Sequence, residues 1–222
     1  MKTFTRAWGP ILGGVTLVAS LGFAGVTKAE VYEIGPEDFS GSFITSFFKY
    51  EIDEKTISTT TTGEIKKKGL GKFLSHTATD FNAVSGSCET NMAAPEADSA
   101  DQVVVESPFF VVKSNVVLTF EKGQVFLQAV PVNDMPAGSG CFYLTVNTGT
   151  GELVEELPGS FDLVVEYKVI GGTGDFAGAS GVLTSTSVGT ALEYNRLSDG
   201  SGDNWFGGVT GTLAGSFCTD CP

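Results

Sequence analysis

Histidine is almost absent from this 222-residue chain: His76 stands alone, so a metal site built on histidines is excluded by count. Basic residues are also scarce, 13 Lys and Arg against 26 Asp and Glu. A chain so acidic is repelled by phosphate backbones, which excludes nucleic acid as a partner. Helical periodicity is missing after residue 29, and no linker divides that region into two cores. Beyond the first thirty residues no apolar run approaches the ~20 residues of a spanning helix, so no membrane span is expected there.

What is present begins with an export signal. Lys2 and Arg6 supply a positive start, "ILGGVTLVASLGFAGV" (Ile11–Val26) is an apolar run, and "TKA" (Thr27–Ala29) places small residues for cleavage after Ala29. The run is shorter than a spanning helix and no basic stop-transfer cluster follows it; an uncleaved anchor is the alternative. Residues 1–29 are therefore read as a signal peptide and 30–222 as one domain, secreted or periplasmic. The signal takes Lys2, Arg6 and Lys28 with it, leaving ten basic against 26 acidic side chains, a formal −16. The local exception is "IKKKGLGK" (Ile65–Lys72), a solvated strand or hairpin end that could also hold an anion.

Four cysteines remain: Cys88, Cys141, Cys218 and Cys221. An even count in an exported chain reads as two disulfides with three possible connectivities, and Cys88–Cys141 with Cys218–Cys221 is the preferred one. The terminal C-x-x-C lacks the helix start of a redox site and the extra ligands of a zinc site.

The dominant pattern is two-residue alternation rich in Val, Thr, Phe and Tyr, broken by glycine-bearing turns. In "SFDLVVEYKVI" the residues Phe161, Leu163, Val165, Tyr167 and Val169 share one face. Asp162, Glu166 and Lys168 share the other, which should face solvent. "NVVLTFEKGQVFLQAV" (Asn115–Val130) and "CFYLTVNTGTGELV" (Cys141–Val154) read as hairpins. Further strands are expected in Ser40–Tyr50, Thr56–Ile65, Lys72–Val84, Gly181–Tyr194 and Trp205–Phe217. "CETNMAAPEADSADQ" (Cys88–Gln102) and "LSDGSGDNW" (Leu197–Trp205) are loops. About eight short strands at regular spacing describe an all-β sandwich or closed antiparallel barrel.

"GGTGDFAGASG" (Gly171–Gly181) follows one of these strands. A dinucleotide fingerprint needs G-x-G-x-x-G opening a helix, so that backbone amides and the helix dipole meet the pyrophosphate. Here the spacing Gly172-x-Gly174-x-x-x-Gly178 is one residue too long and alternation, not a helix, follows; no cofactor is expected. Glycines at a strand junction serve instead as bends, and Phe176 among small neighbours is placed to plug a barrel end.

These residues carry a resemblance. Gly171, Gly172, Gly174, Phe176, Gly178 and Gly181, with Gly208, Gly211, Thr212, Leu213 and Gly215 in the late strand, resemble the signature of the allene oxide cyclase barrel-like superfamily, which includes the plant dirigent proteins. "GLGKF" (Gly69–Phe73) is similar to an early strand of exported bacterial members. The resemblance covers about the last third of the chain and implies an eight-stranded antiparallel barrel with an apolar lumen. It implies no single activity: relatives cyclise fatty-acid epoxides or polyketide-like chains, or steer phenolic coupling, and their working groups are scattered lumen residues. The cysteine-bearing loop and terminal C-x-x-C depart from the plant proteins.

For chemistry, His76 sits on a Ser/Thr-rich strand with no triad spacing around it. Glu106, Glu121, Asp162, Glu166 and Glu193 lie in or beside strands; any that pointed into the lumen would be desolvated and suited to acid–base work. "DGSGDN" (Asp199–Asn204) lacks the spacing of a calcium loop. The expected role is a barrel that binds a small hydrophobic molecule. The alternatives are a cofactor-free cyclase or isomerase, and a structural or interaction protein of the cell envelope.

Overall fold

The computed structural model describes residues 29–48, 55–66, 69–88, 92, 96–97, 99–133, 135–151, 154, 159–196 and 202–221. Residues 1–29, expected to be a signal peptide, therefore lie outside the described residues except for Ala29. The rest is all-β. Nine strands run antiparallel: β1 (Glu30–Phe48), β2 (Lys55–Ile65), β3 (Gly71–Ala83), β4 (Gln102–Phe120), β5 (Gly123–Ala129), β6 (Gly138–Asn147), β7 (Ser160–Gly172), β8 (Ser180–Arg196) and β9 (Gly202–Thr219). Their order is β3-β2-β1-β9-β8-β7-β5-β4, and a β3–β4 ladder closes the ring.

The ninth strand does not widen the ring. β5 pairs with Ser114–Phe120 of β4 and Lys168–Gly172 of β7, while β6 pairs with Gln102–Phe110 and with Ser160–Val165 of the same two strands. β5 and β6 thus lie end to end in one position, and the barrel has eight positions around its circumference.

Alternation decides which face is which. On β7, Phe161, Leu163, Val165, Tyr167 and Val169 are all buried toward the lumen. Large rings there are accommodated by glycines on neighbouring strands. Gly63 sits opposite both Phe39 and Phe73, Gly211 opposite Phe39, and Gly189 opposite Phe161. A Cβ at Gly189 would lie 2.2 Å from the Phe161 ring. Large beside small is how a narrow barrel fills its interior.

Two strands start earlier than alternation suggests. β1 begins at Glu30 instead of near Ser40, because a bulge between Ile34 and Glu37, at Gly35-Pro36, resets the in/out phase. β4 begins at Gln102 instead of Asn115; "VVVESPFF" does not alternate cleanly, and Pro108 breaks the strand signal while its carbonyl still accepts from Val84 N–H (2.9 Å). The return limb of the Cys141–Val154 hairpin lies outside the described residues except for Val154, whose N–H reaches Thr145 O (2.9 Å).

Candidate functional site

The lumen is built in three storeys. At one end Phe176, fully buried, meets Phe120 (ring centroids 5.3 Å), Tyr32 (6.0 Å) and Phe217 (6.1 Å). Phe176 reaches that position from a 3₁₀ turn, Gly174–Phe176, between β7 and β8. Gly174 has φ +61°, and a Cβ there would sit 2.1 Å from Lys122 O, so the turn presses against the β4–β5 connection as no other residue type allows. The glycine-rich stretch leads into an antiparallel strand and a single turn. Gly171, Gly172, Gly178 and Gly181 flank that turn.

At the other end Phe142 centres a second cluster, with Phe109 at 4.6 Å, Phe81 at 5.2 Å, Phe161 at 5.9 Å and Trp205 at 6.0 Å. Between the two clusters the inward residues of β2, β3 and β8 turn hydroxylic, while those of β5 and β9 stay apolar. Thr59, Thr77 and Ser185 face inward at mid-strand yet are only half-buried, because their free surface looks into an internal cavity. That cavity measures about 50 Å³. Room for about three or four waters follows, far below the several hundred Å³ of a ligand pocket.

One hydroxyl chain lines it. Thr79 Oγ1 and Ser114 Oγ are 2.7 Å apart, and Ser114 Oγ is 3.1 Å from Tyr167 Oη, all buried. Burial pushes the Tyr167 phenol up to about 12, against the opposing pull of hydrogen bonds from Ser114 and Thr79. Tyr167 is therefore neutral at physiological pH. Among the described residues the cavity is lined by hydroxyls and apolar side chains, so what this lining offers a bound molecule is hydrogen bonds. None of these hydroxyls stands out by spacing, but the parity of "KFLSHTATDF" carries the signal: Phe73, Ser75, Thr77, Thr79 and Phe81 share one face, apolar at both ends and hydroxylic between.

Asp162 corrects the expectation of a solvent-facing carboxylate. It points outward, opposite Cys141, yet its exposure is 0 %. The Tyr143 hydroxyl (2.9 Å) and Met92 N–H (3.1 Å) both donate to Oδ2. Met92 lies against this part of the wall, and the nearby Cys88–Cys141 disulfide ties Cys88 to β6. The alternation rule holds; what it misses is the cover that Met92 and Tyr143 give this outward carboxylate. The second disulfide joins Cys218 and Cys221.

The other sequence candidates are scattered. His76 is exposed on the outer face, its Nδ1 3.3 Å from Thr60 Oγ1. Glu121 and Glu166 are exposed, and Glu106, also exposed, accepts from Cys88 N–H (3.4 Å). The Glu193 side chain and Asp199–Ser201 lie outside the described residues, while Gly202–Asn204, expected in a loop, already belong to β9. In the basic run Ile65 and Leu70 are buried and Lys66 and Lys72 exposed, while Lys67 and Lys68 lie outside the described residues. Among the described residues no three His, Cys, Asp or Glu side chains gather as metal ligands.

The outer wall is mixed. β2 shows Ser58, Thr60, Thr62 and Glu64 to solvent and turns Ile57 and Ile65 inward, whereas Ile44, Leu74, Ile170, Val182 and Phe206 are apolar side chains exposed on the outer face of other strands. Among the described residues no helix is long and apolar enough to cross a membrane.

No family model matches the chain, and no curated protein does. Among solved structures it is similar to Ail, the attachment invasion locus protein of Yersinia pestis, at 9% identity over 83% of this chain and 99% of that one. The TM-score is 0.20, too low to carry any argument about this protein.

Proposed function

We propose that this protein is an exported structural or interaction protein of the cell envelope, its barrel a disulfide-stapled scaffold of the allene oxide cyclase/dirigent-like type. The observation that carries the reading is the filled lumen: two aromatic clusters close the ends and about 50 Å³ is left between them. Two disulfides in one barrel fit an oxidising compartment outside the cytoplasm, as does the signal-like N-terminus. Binding that leaves the lumen filled then falls to the outer wall.

A panel of fatty acids, polyenes and phenolics tested for thermal stabilisation checks this. No shift with any member is the expected result; a saturable rise in Tm with one of them overturns the reading. That outcome would favour a second function, a binding barrel or cofactor-free cyclase. The Thr79–Ser114–Tyr167 chain supports the second reading, since a neutral phenol in an apolar lumen can steer charge on a bound substrate. Such a substrate would have to displace one of the aromatic ends.

A further inference from the structure

The outer wall carries a concave groove of about 850 Å³ across four adjacent strands, β3, β2, β1 and β9. Two in-register rows of short polar side chains line it. In one row Thr212 is the partner of Asp38 and Glu64 the partner of Lys72. In the other, Thr210 pairs with Ser40 and Ser40 with Thr62. Phe39 and Phe73 lie along its floor.

We infer that this groove is a binding site for a neutral polyhydroxylated chain, a polysaccharide, lying across the strands. The inference rests on the interaction-protein reading and names its partner class. Charge excludes the polyanions: the groove holds two carboxylates to one ammonium, and the exported chain is formally −16. An extended peptide needs a free sheet edge, and Ser40 and Thr62 are paired on both sides. The groove joins an apolar floor, Phe39 and Phe73, to a rim of hydroxyls and charges, so its ligand must offer both an apolar face and hydrogen-bonding groups, which a lipid chain does not. What fits is a ligand that donates and accepts at every step. Four hydroxyls in mixed roles, carboxylates accepting and an ammonium donating match vicinal diols. The geometry agrees, since a pyranose ring is about as long as the strand spacing of about 4.8 Å, which sets one sugar over each strand.

Affinity electrophoresis of the exported chain in native gels tests this, using dextran, laminarin, hydroxyethylcellulose and glycol chitin, with heparin as the polyanion. At least one neutral glycan should retard the protein, and heparin should not. The Thr62→Val/Thr210→Val double variant, which keeps β-branched side chains and hence the fold, should weaken that binding about tenfold, the loss of two modest hydrogen bonds. Asp38→Asn should weaken it as well. Indifference to all four neutral glycans overturns the proposal, as does equal retardation by heparin or undiminished binding by the double variant. The lumen panel reads a different surface. A lumen ligand found alongside persistent glycan retardation would overturn the scaffold reading and leave the groove standing; absence of both would do the opposite.

Discussion

The phenol of Tyr143 donates to Oδ2 of Asp162 at 2.9 Å on the outside of the barrel wall, with both residues at 0 % exposure. Met92 N–H converges on the same oxygen. A carboxylate in such a place holds a loop down: its two donors come from β6 and from the segment after Cys88. Replacing Asp162 by Ala removes the acceptor that the Tyr143 hydroxyl and Met92 N–H share, and losing a hydrogen bond to a charged group costs about 1–3 kcal/mol. Chemical denaturation should report a loss in that range or above it, and hydrogen exchange should rise across residues 88–101 while the lumen strands stay protected. Unchanged exchange in the loop would contradict the clamp.

Gly189 and Phe161 form a size-matched pair across β8 and β7. A methyl on Gly189 meets three atoms of the Phe161 ring within 2.9 Å, so Gly189→Ala should destabilise by about 1–3 kcal/mol through overpacking. Phe161→Leu alone should also destabilise. The double variant should lose less than the sum of the two, a coupling measurable by a double-mutant cycle. Strict additivity would mean that the pair does not share its space.

The disulfides should differ in weight. Cys88 and Cys141 are 53 residues apart, Cys218 and Cys221 only 3. By chain entropy, removing the first pair costs about 4 kcal/mol and the second about 2. Denaturation of the two Cys→Ser double variants compares them directly. A larger loss at the terminal pair would rule out loop closure as the source of stabilisation.

Alkali should weaken the fold. Tyr167 and Tyr32 are both held at about 12 against an ordinary 10.0, Tyr167 by burial and Tyr32 by burial first and then by hydrogen bonding to Glu30. A pKa raised in the folded state means that the unfolded chain binds fewer protons, so stability is intact below pH 10 and falls as pH rises toward 12. Tyr167→Phe should flatten that slope, with Tyr32 supplying what remains. A slope identical in the variant would show that the Tyr167 phenol titrates normally.

The alternation in "SFDLVVEYKVI" was enough to place Phe161, Leu163, Val165, Tyr167 and Val169 in the core, and repeated turns were enough to imply an all-β sandwich or closed barrel. Period-two patterning is local, and a strand's own residues declare its inward face. The phase shift at Ile34/Glu37 was not legible that way, because a bulge is visible only against the partner strand. Neither was the burial of Asp162, which depends on a loop some seventy residues earlier in the chain. How much of the lumen the aromatics would leave open depends on how rings from different strands interlock. The order of residues thus determined the architecture and the chemistry of each face. Only the closed tertiary structure decided the size of the cavity, the covered carboxylate and the four-strand groove, because each is made by groups that meet only across strands far apart in sequence.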